Sequence, residues 1–189
     1  MQLLIQHIQE QVSLSDEESH LISQTFTSKV LDKKEMLLFK GDVSNHMRFI
    51  EKGCLRAYNI DDAGNEHILQ FGIEGWWVND LFSCITQQPA QGFIQALEPS
   101  RILQIHRESL DELFKTVPVM ERFFRLKIQS AYVALQERTI HSMSKTAEQR
   151  YLDFRNKYRN IEQRVPQYMV ASYLGITPEH LSSLRKKLL

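Results

Sequence analysis

The sequence predicts an α+β fold: an antiparallel β-roll, then one long helix, then a C-terminal helix-turn-helix without an evident wing. Several short β-like runs fall between residues 28 and 106 and are separated by turn residues, which is typical of a roll or barrel. A helical stretch from Val119 to Met143 contains neither glycine nor proline. Finally, residues 164–188 carry two short helical patterns on either side of Gly175.

The elements before the long helix follow from local patterns. Apolar spacing predicts a first helix through residues 3–12, and Ser15 with Glu18 forms a capping box that opens a second. The β-like runs cover residues 35–39, 47–51, 55–60, 67–71, 93–97 and 101–105. Residues 61–65 are turn formers and predict a hairpin, while a further helix over 107–115 is broken at Pro118.

The long helix carries an apolar seam. Phe124, Ile128, Ala131 and Leu135 repeat at intervals of four, three and four residues, the spacing of a two-helix seam. We therefore expect this helix to pair with its counterpart in a second copy of the chain. The alternative is a core helix packed only within its own protomer, since fewer than three heptads are regular.

The C-terminal segment has start and stop signals for two helices. Pro166 suits a first helical position, and Gly175 can adopt the positive φ that a short turn requires. Thr177 offers an N-cap hydroxyl, and Pro178 fits the first turn of a second helix. Small Ala171 lets the two helices cross closely. An ordinary pair of antiparallel helices is the alternative interpretation.

Helical periodicity divides the second helix into two faces. Leu181, Leu184 and Leu188 share one face, and the opposite face is polar. That face and the basic end predict binding to double-stranded DNA. The predicted DNA-binding residues are Gln167, Tyr168, Thr177, Pro178, Glu179, Ser182, Ser183, Arg185, Lys186 and Lys187. Glu179 would read a base, and the three basic residues would contact phosphates.

Composition agrees with this division. The formal net charge is zero, but residues 138–189 carry ten Lys and Arg against four Asp and Glu, a net +6 that leaves −6 for residues 1–137. A polyanion would be attracted to the C-terminal part alone. No apolar run approaches the roughly 20 residues of a membrane span, and no signal peptide is evident, so we expect a cytoplasmic protein without a membrane partner. Cys54 and Cys84 are expected to be buried thiols.

Together these residues resemble the cyclic-AMP receptor protein and fumarate–nitrate regulator (Crp/Fnr) family of bacterial transcription factors. The resemblance depends on Lys40-Gly41-Asp42, the strand 47–56, the hairpin 62–66 and Gly175. It implies a cyclic-nucleotide-binding-like β-roll sensor domain at 1–117, a dimerisation and linker helix at 118–143, and a helix-turn-helix DNA-binding domain at 144–189. It also implies a homodimer that places two recognition helices in successive major grooves, with RNA polymerase as a further partner.

Departures from the family pattern bear on the effector. No arginine lies between Arg56 and Arg101, and Gly75-Trp76 stands where cyclic-nucleotide-binding members have Gly-Glu, so we do not expect cyclic AMP to bind. Ser183 occupies a position that often carries a base-reading arginine. We expect no cofactor, although an unidentified small molecule could act through the roll. Trp76, Trp77, Phe82 and Phe93 either line an apolar effector pocket or fill the core.

Two other classes of function remain open at this stage. Antiparallel rolls also resemble cupins, which hold a metal with closely spaced histidines. His46, His67 and His106 are the only histidines of the roll and no His-x-His occurs, so we expect neither a metal site nor an enzyme. A cyclic-nucleotide-fold interaction protein that has lost DNA binding is the other alternative.

Overall fold

The computed structural model describes residues 1–188. Two helices come first, α1 (Gln2–Gln9) and α2 (Asp16–Thr25). The predicted capping box is confirmed, because the Ser15 hydroxyl accepts from the Glu18 amide and the Glu18 carboxylate accepts from the Ser15 amide. The first helix ends at Gln9, earlier than its apolar pattern suggested, although Val12 beyond it is still buried.

Among the described residues 1–188, seven antiparallel strands form two sheets. The strands are β1 (Thr27–Leu31), β2 (Met36–Leu38), β3 (His46–Lys52), β4 (Leu55–Ile60), β5 (Glu66–Gly72), β6 (Phe93–Ala96) and β7 (Ser100–His106). One sheet has the order β1-β7-β3, and the other has the order β2-β6-β4-β5, which leaves β5 at an edge. The six predicted runs correspond to β2–β7 within one or two residues at each end. Strand β1 and the short helix α3 (Leu81–Thr86) were not predicted, because neither carries a clear periodic signal.

The hairpin between β4 and β5 turns as its sequence indicates. The Asp61 carboxylate accepts hydrogen bonds from the Ala63 and Asn65 amides at 3.0 and 2.8 Å. Such side-chain acceptors are what makes aspartate a turn former.

Helices follow the roll to the end of the chain. They are α4 (Arg107–Thr116), α5 (Val119–Ser144), α6 (Ala147–Lys157), α7 (Arg159–Glu162), α8 (Gln167–Leu174) and α9 (Pro178–Leu188). Helix α5 spans the predicted long helix, and α4 agrees with its prediction to one residue. Within residues 1–188, no helix is long and apolar enough to cross a membrane.

Three apolar clusters define the layers of the molecule. Between the two sheets lies a core that includes Ile50, Leu55, Val78 and Ile102. The outer side of the three-stranded sheet is covered by α1, α2, α4 and the start of α5. The outer side of the four-stranded sheet is covered by helices α6–α9, which share one core with Tyr58, Ile68 and Phe71. The C-terminal helices therefore pack directly on the roll.

Candidate DNA-binding surface

Helices α8 and α9 form the predicted helix-turn-helix. Gly175 has φ +67°, the left-handed conformation predicted for the turn. The position of Pro166 is a correction: its ψ of 144° is extended, so it is the N-cap residue and α8 begins at Gln167. Proline fixes only φ, and here ψ places it outside the helix. At α9, the Thr177 hydroxyl accepts from the His180 amide at 3.2 Å, as an N-cap should.

The two helices pack through small and aliphatic side chains. Ala171 and Val170 are fully buried, and Leu181 and Leu184 of α9 are buried in the same unit. Because Ala171 has no side chain beyond Cβ, α9 can cross α8 closely there. This packing fixes which face of α9 points away from the protein.

The outward face of α9 is polar. Glu179, Ser182, Ser183 and Lys186 are all exposed, on the side opposite Leu181 and Leu184. The carboxylate of Glu179 lies in the first turn, and the short hydroxyls beside it leave space for a partner surface. Thr177 and Pro178 at the start of α9 are exposed as well.

The remaining predicted residues surround this face. At the start of α8, Tyr168 is exposed and Gln167 is half-buried. Arg185 is half-buried, whereas Lys187 is exposed and its ammonium lies 2.7 Å from the Glu148 carboxylate of α6. Lys187 is therefore not a free cation, although an exposed ion pair of this kind contributes little free energy.

Arg150 and Tyr151 of α6 support the helix-turn-helix on the side away from its polar face. Arg150 donates from Nε to the Leu174 carbonyl at 3.2 Å and from Nη1 to the Lys145 carbonyl at 2.7 Å, which satisfies the last carbonyl of α8 and the carbonyl that follows α5. The Tyr151 hydroxyl donates to Glu162 at 2.6 Å; burial, followed by this hydrogen bond, raises the pKa of Tyr151. Neither role could be predicted from local patterns, since the partners other than Lys145 are 11 or more residues away.

The predicted seam of α5 is only partly exposed. Phe124 is 5% exposed and packs on Trp77 and Phe114 within its own protomer, so its assignment to a dimer seam is corrected. Ala131 is exposed, and it lines the same pocket beside the roll as Leu135 and Arg138. Ile128 and Leu135 are exposed as predicted. At 100° per residue they share a face with Tyr132, Thr139 and Met143.

We call these five residues the exposed stripe of α5: Ile128, Tyr132, Leu135, Thr139 and Met143. Their spacing is four, three, four and four, and Tyr132 and Met143 are 66% and 84% exposed. The signal that could have found Tyr132 was its position four residues after Ile128. The predicted seam includes Ala131 and not Tyr132, because Ala131 follows Phe124 by seven residues.

The four aromatic residues predicted for an effector pocket do not share a cavity. Trp77 packs on Phe49 and Phe124, Trp76 packs on Tyr158 of the C-terminal unit, and Phe93 stacks on Tyr58. Phe82 is exposed on α3. The prediction of an effector pocket is therefore corrected in favour of core packing for Trp76, Trp77 and Phe93. These three side chains fill two different cores, because adjacent Trp76 and Trp77 point to opposite sides of the roll.

The two buried arginines of the roll, Arg48 and Arg56, both donate hydrogen bonds within the roll, although Arg48 Nε has no partner. The Arg56 guanidinium pairs with the Glu66 carboxylate and lies 4.0 Å from the centre of the Tyr58 ring. Arg48 donates to the Ser44 hydroxyl at 2.9 Å, and burial lowers its pKa. The interior between the sheets is lined by aliphatic side chains, including Ala90 and Ile94.

The thiols and histidines of the roll complete the set of predicted residues. Cys54 and Cys84 are free and buried as predicted, and burial raises the pKa of Cys54 to about 12. His46 and His106 lie edge to face with ring centres 5.1 Å apart, whereas His67 bonds Asp61 at 2.8 Å. In the part of the chain that the structure describes, no three His, Cys, Asp or Glu side chains are arranged to hold a metal.

The chain thus combines a β-roll, a long helix and a helix-turn-helix whose polar face is exposed. Comparison with known proteins agrees. Residues 28–117 match the family described as "Cyclic nucleotide-binding domain". The chain is 29% identical over 185 residues to an anaerobic regulatory protein of Haemophilus influenzae, covering 91% of this chain and 71% of that protein. It is 28% identical over 167 residues to electron transport regulator A of Shewanella oneidensis, covering 82% and 66%.

A solved structure shares the whole arrangement. The c-di-GMP responsive global regulator CLP of Xanthomonas campestris superimposes with a TM-score of 0.72 at 13% identity, over 92% of this chain and 91% of that one. This likeness concerns the fold. The chain spans about two thirds to seven tenths of the length of the two relatives above. Residues 28–117 thus carry a match to the cyclic nucleotide-binding domain, and the chain as a whole is similar to transcription regulators of the Crp/Fnr type.

Proposed function

We propose that this chain binds double-stranded DNA as a homodimer and regulates transcription, with α9 as the recognition helix. The observation that carries the proposal is the exposed polar face of Glu179, Ser182, Ser183 and Lys186 on a helix held firmly from behind by α8. A helix presented in this way fits the major groove, whose base edges offer hydrogen-bond donors and acceptors.

Individual contacts follow from position on the helix. Glu179 lies near the N-terminus of α9, where a carboxylate can accept from a cytosine amino group. Arg185, Lys186 and Lys187 contact phosphates, and Lys187 exchanges its Glu148 partner for a phosphate on binding. Gln167, Tyr168, Thr177 and Pro178 lie where the backbone of the duplex would pass. Ser182 and Ser183 reach only short distances into the groove.

The exposed stripe of α5 forms the dimer contact. Its apolar side chains would otherwise face water along the exposed part of the long helix. Pairing two such helices buries them and relates the two α9 helices by a two-fold axis. Recognition helices about 34 Å apart then enter successive major grooves of an inverted repeat. RNA polymerase is the further partner that transcription regulation implies.

We assign no catalytic residue, metal or tightly bound cofactor to the chain. Regulation through the roll uses a small molecule other than cyclic AMP, because an aliphatic cluster lies between the sheets, Arg56 is paired with Glu66, and no arginine occurs between Arg56 and Arg101. Calorimetry with cyclic AMP and cyclic GMP should show no binding tighter than about 10 μM, roughly 7 kcal/mol. Tighter binding would contradict this part of the proposal.

The decisive experiment is selection of duplexes from a random library with the full chain. We expect an inverted repeat with half-sites about one helical turn apart. Glu179→Ala should relax the preference at one base pair per half-site by about 1–3 kcal/mol, whereas Lys187→Ala should weaken all sequences alike and reduce the salt slope by about one per site. Glu17→Ala, the same change in exposed α2, is the matched control. If no duplex is enriched, the chain does not bind DNA and the proposal is wrong.

A further inference from the structure

The C-terminal helices are fastened to the roll by a charged bridge. Arg164 precedes α8, and its guanidinium donates from Nη1 and Nη2 to both oxygens of Glu74 at 2.7 and 3.0 Å. The same Nη2 donates to the Glu98 carboxylate. We call these three residues the Arg164 bridge. Glu74 follows β5 and Glu98 lies between β6 and β7, so one arginine joins two loops of the roll.

The roll side of the bridge is itself fixed in place. Glu74 Oε1 also accepts from the Gly53 amide at 2.7 Å. The next residues, Gly75 and Trp76, exchange backbone hydrogen bonds with Ile50 of β3 at 2.9 and 2.8 Å. A two-point Arg–carboxylate contact adds geometric specificity as well as energy. The bridge therefore fixes the orientation of α8 relative to the roll as well as the distance between them.

A second set of contacts holds α8 along the free edge of β5. The Ser172 hydroxyl accepts from the Ile68 amide at 3.0 Å and donates to the Glu66 carbonyl at 2.7 Å. Arg138 of α5 donates from Nη2 to the carbonyls of Ile68 and Tyr173, both at 3.0 Å. These side chains satisfy edge groups of β5 that no neighbouring strand pairs. Roll, long helix and α8 thus meet at one place.

None of these contacts covers the face of α9 proposed to enter the groove. The contacts come from Arg164, Ser172 and Arg138, whereas Glu179 and Ser182 remain exposed. Docking against the roll is therefore compatible with DNA binding. Docking does determine the orientation of α9 relative to α5. In the proposed dimer it therefore also determines the orientation of α9 relative to the recognition helix of the second copy.

From these contacts we infer that Arg164 is a positioning residue that sets the spacing of the two recognition helices without touching DNA. The inference rests on the proposed homodimer and DNA binding. A dimer with rigidly held recognition helices binds one half-site spacing best, because only that spacing requires no reorientation. A dimer whose C-terminal units can swing tolerates several spacings, at the expense of affinity for the best one.

The bridge is intact at neutral pH. Burial alone would raise the pKa of Glu74, but the hydrogen bonds from Arg164 and the Gly53 amide outweigh it and lower the pKa to about 2. A carboxylate whose pKa is lowered on folding stabilises the folded state above its unfolded pKa, and that contribution is lost as the pH falls towards 2. Binding measurements near pH 7 therefore report on the intact bridge.

The test compares variants of the full chain on duplexes that share the selected half-sites but differ in spacing by single base pairs. Arg164→Gln removes the bridge from the helical side. Glu98→Gln weakens it from the roll, where loss of a phosphate contact cannot explain the result. Arg159→Gln, an exposed arginine on α7, is the matched charge control. Circular dichroism and binding to a single half-site report whether each variant is folded.

We expect Arg164→Gln and Glu98→Gln to lose about tenfold in affinity for the best spacing and to flatten the spacing profile, with base preference inside the half-site unchanged. Arg159→Gln should keep the wild-type profile. The inference is wrong if both variants are folded and keep the wild-type spacing profile. It is also wrong if either variant binds the best spacing more tightly than the wild-type chain. If the wild-type chain binds no duplex, the proposed function fails instead.

Discussion

The two halves of α5 carry the same kind of sequence but have opposite environments. In the first half, Met120, Phe123 and Phe124 are buried against the roll. In the second half, Ile128, Tyr132 and Leu135 are exposed although they are equally apolar. Apolar periodicity therefore identifies a helix face that tends to be buried, but it does not identify the element or partner that buries it. In the second half, Arg138 contacts the roll through the Ile68 carbonyl, whereas the apolar side chains on another side of the helix stay exposed, and the proposed partner helix would cover them.

The largest expected effect lies in the first half. Phe123→Ala should lower the free energy of unfolding by about 3–5 kcal/mol, because it removes a fully buried ring that packs on Trp77 and Phe124. Urea denaturation measures this. Tyr132→Ala, compared in a monomeric background, should change the same quantity by no more than about 0.5 kcal/mol. Equal losses of unfolding free energy in the two variants would show that the two halves of α5 are not buried to different extents.

The next effect concerns association through the second half. Ile128→Lys places a charge in the proposed helix pair and should raise the dimer dissociation constant at least about 100-fold while the roll stays folded. Sedimentation equilibrium measures it, and Ser130→Lys on another face of α5 is the control. A wild-type chain that is monomeric at micromolar concentration would contradict the assignment.

A smaller gain is expected when the stripe is made more apolar. Thr139 lies near the centre of the exposed stripe, and its hydroxyl bonds only to the Leu135 carbonyl of its own helix. Thr139→Leu should strengthen the dimer by about 1 kcal/mol per protomer, since it buries additional methyl groups. The same sedimentation measurement applies. Weaker association would mean that Thr139 lies outside the contact.

The smallest energetic effect comes from a geometric probe. Thr139→Cys should leave unfolding within about 0.5 kcal/mol of wild type and yield a covalent dimer on oxidation, because disulfides need Cα atoms within about 7 Å. Native Cys54 and Cys84 should not compete, since burial raises the pKa of both thiols. Ser130→Cys should remain monomeric on a denaturing gel. Cross-linking of both variants would deny that the stripe is a specific contact.

Much of the fold could be predicted because its signals are local. The Ser15–Glu18 capping box, the Asp61 turn and Gly175 act over two to four residues, and each has the predicted geometry. Pro166 shows the limit of such rules, since its φ suits a first helical residue but its ψ does not. Helix α3 escaped prediction because six residues provide too little periodicity.

Residue order alone predicted the polar face of α9, the basic C-terminal part and the order of all elements except β1, α3, α6 and α7, since composition and helical period can be read from it directly. Only the tertiary structure decided that Phe124 is buried, that Trp76 and Trp77 belong to different cores, and that Arg164 reaches carboxylates 90 and 66 residues away. The physical reason is range. Capping and periodicity act within a few residues, whereas burial and ion pairing depend on which distant surfaces the folded chain brings together.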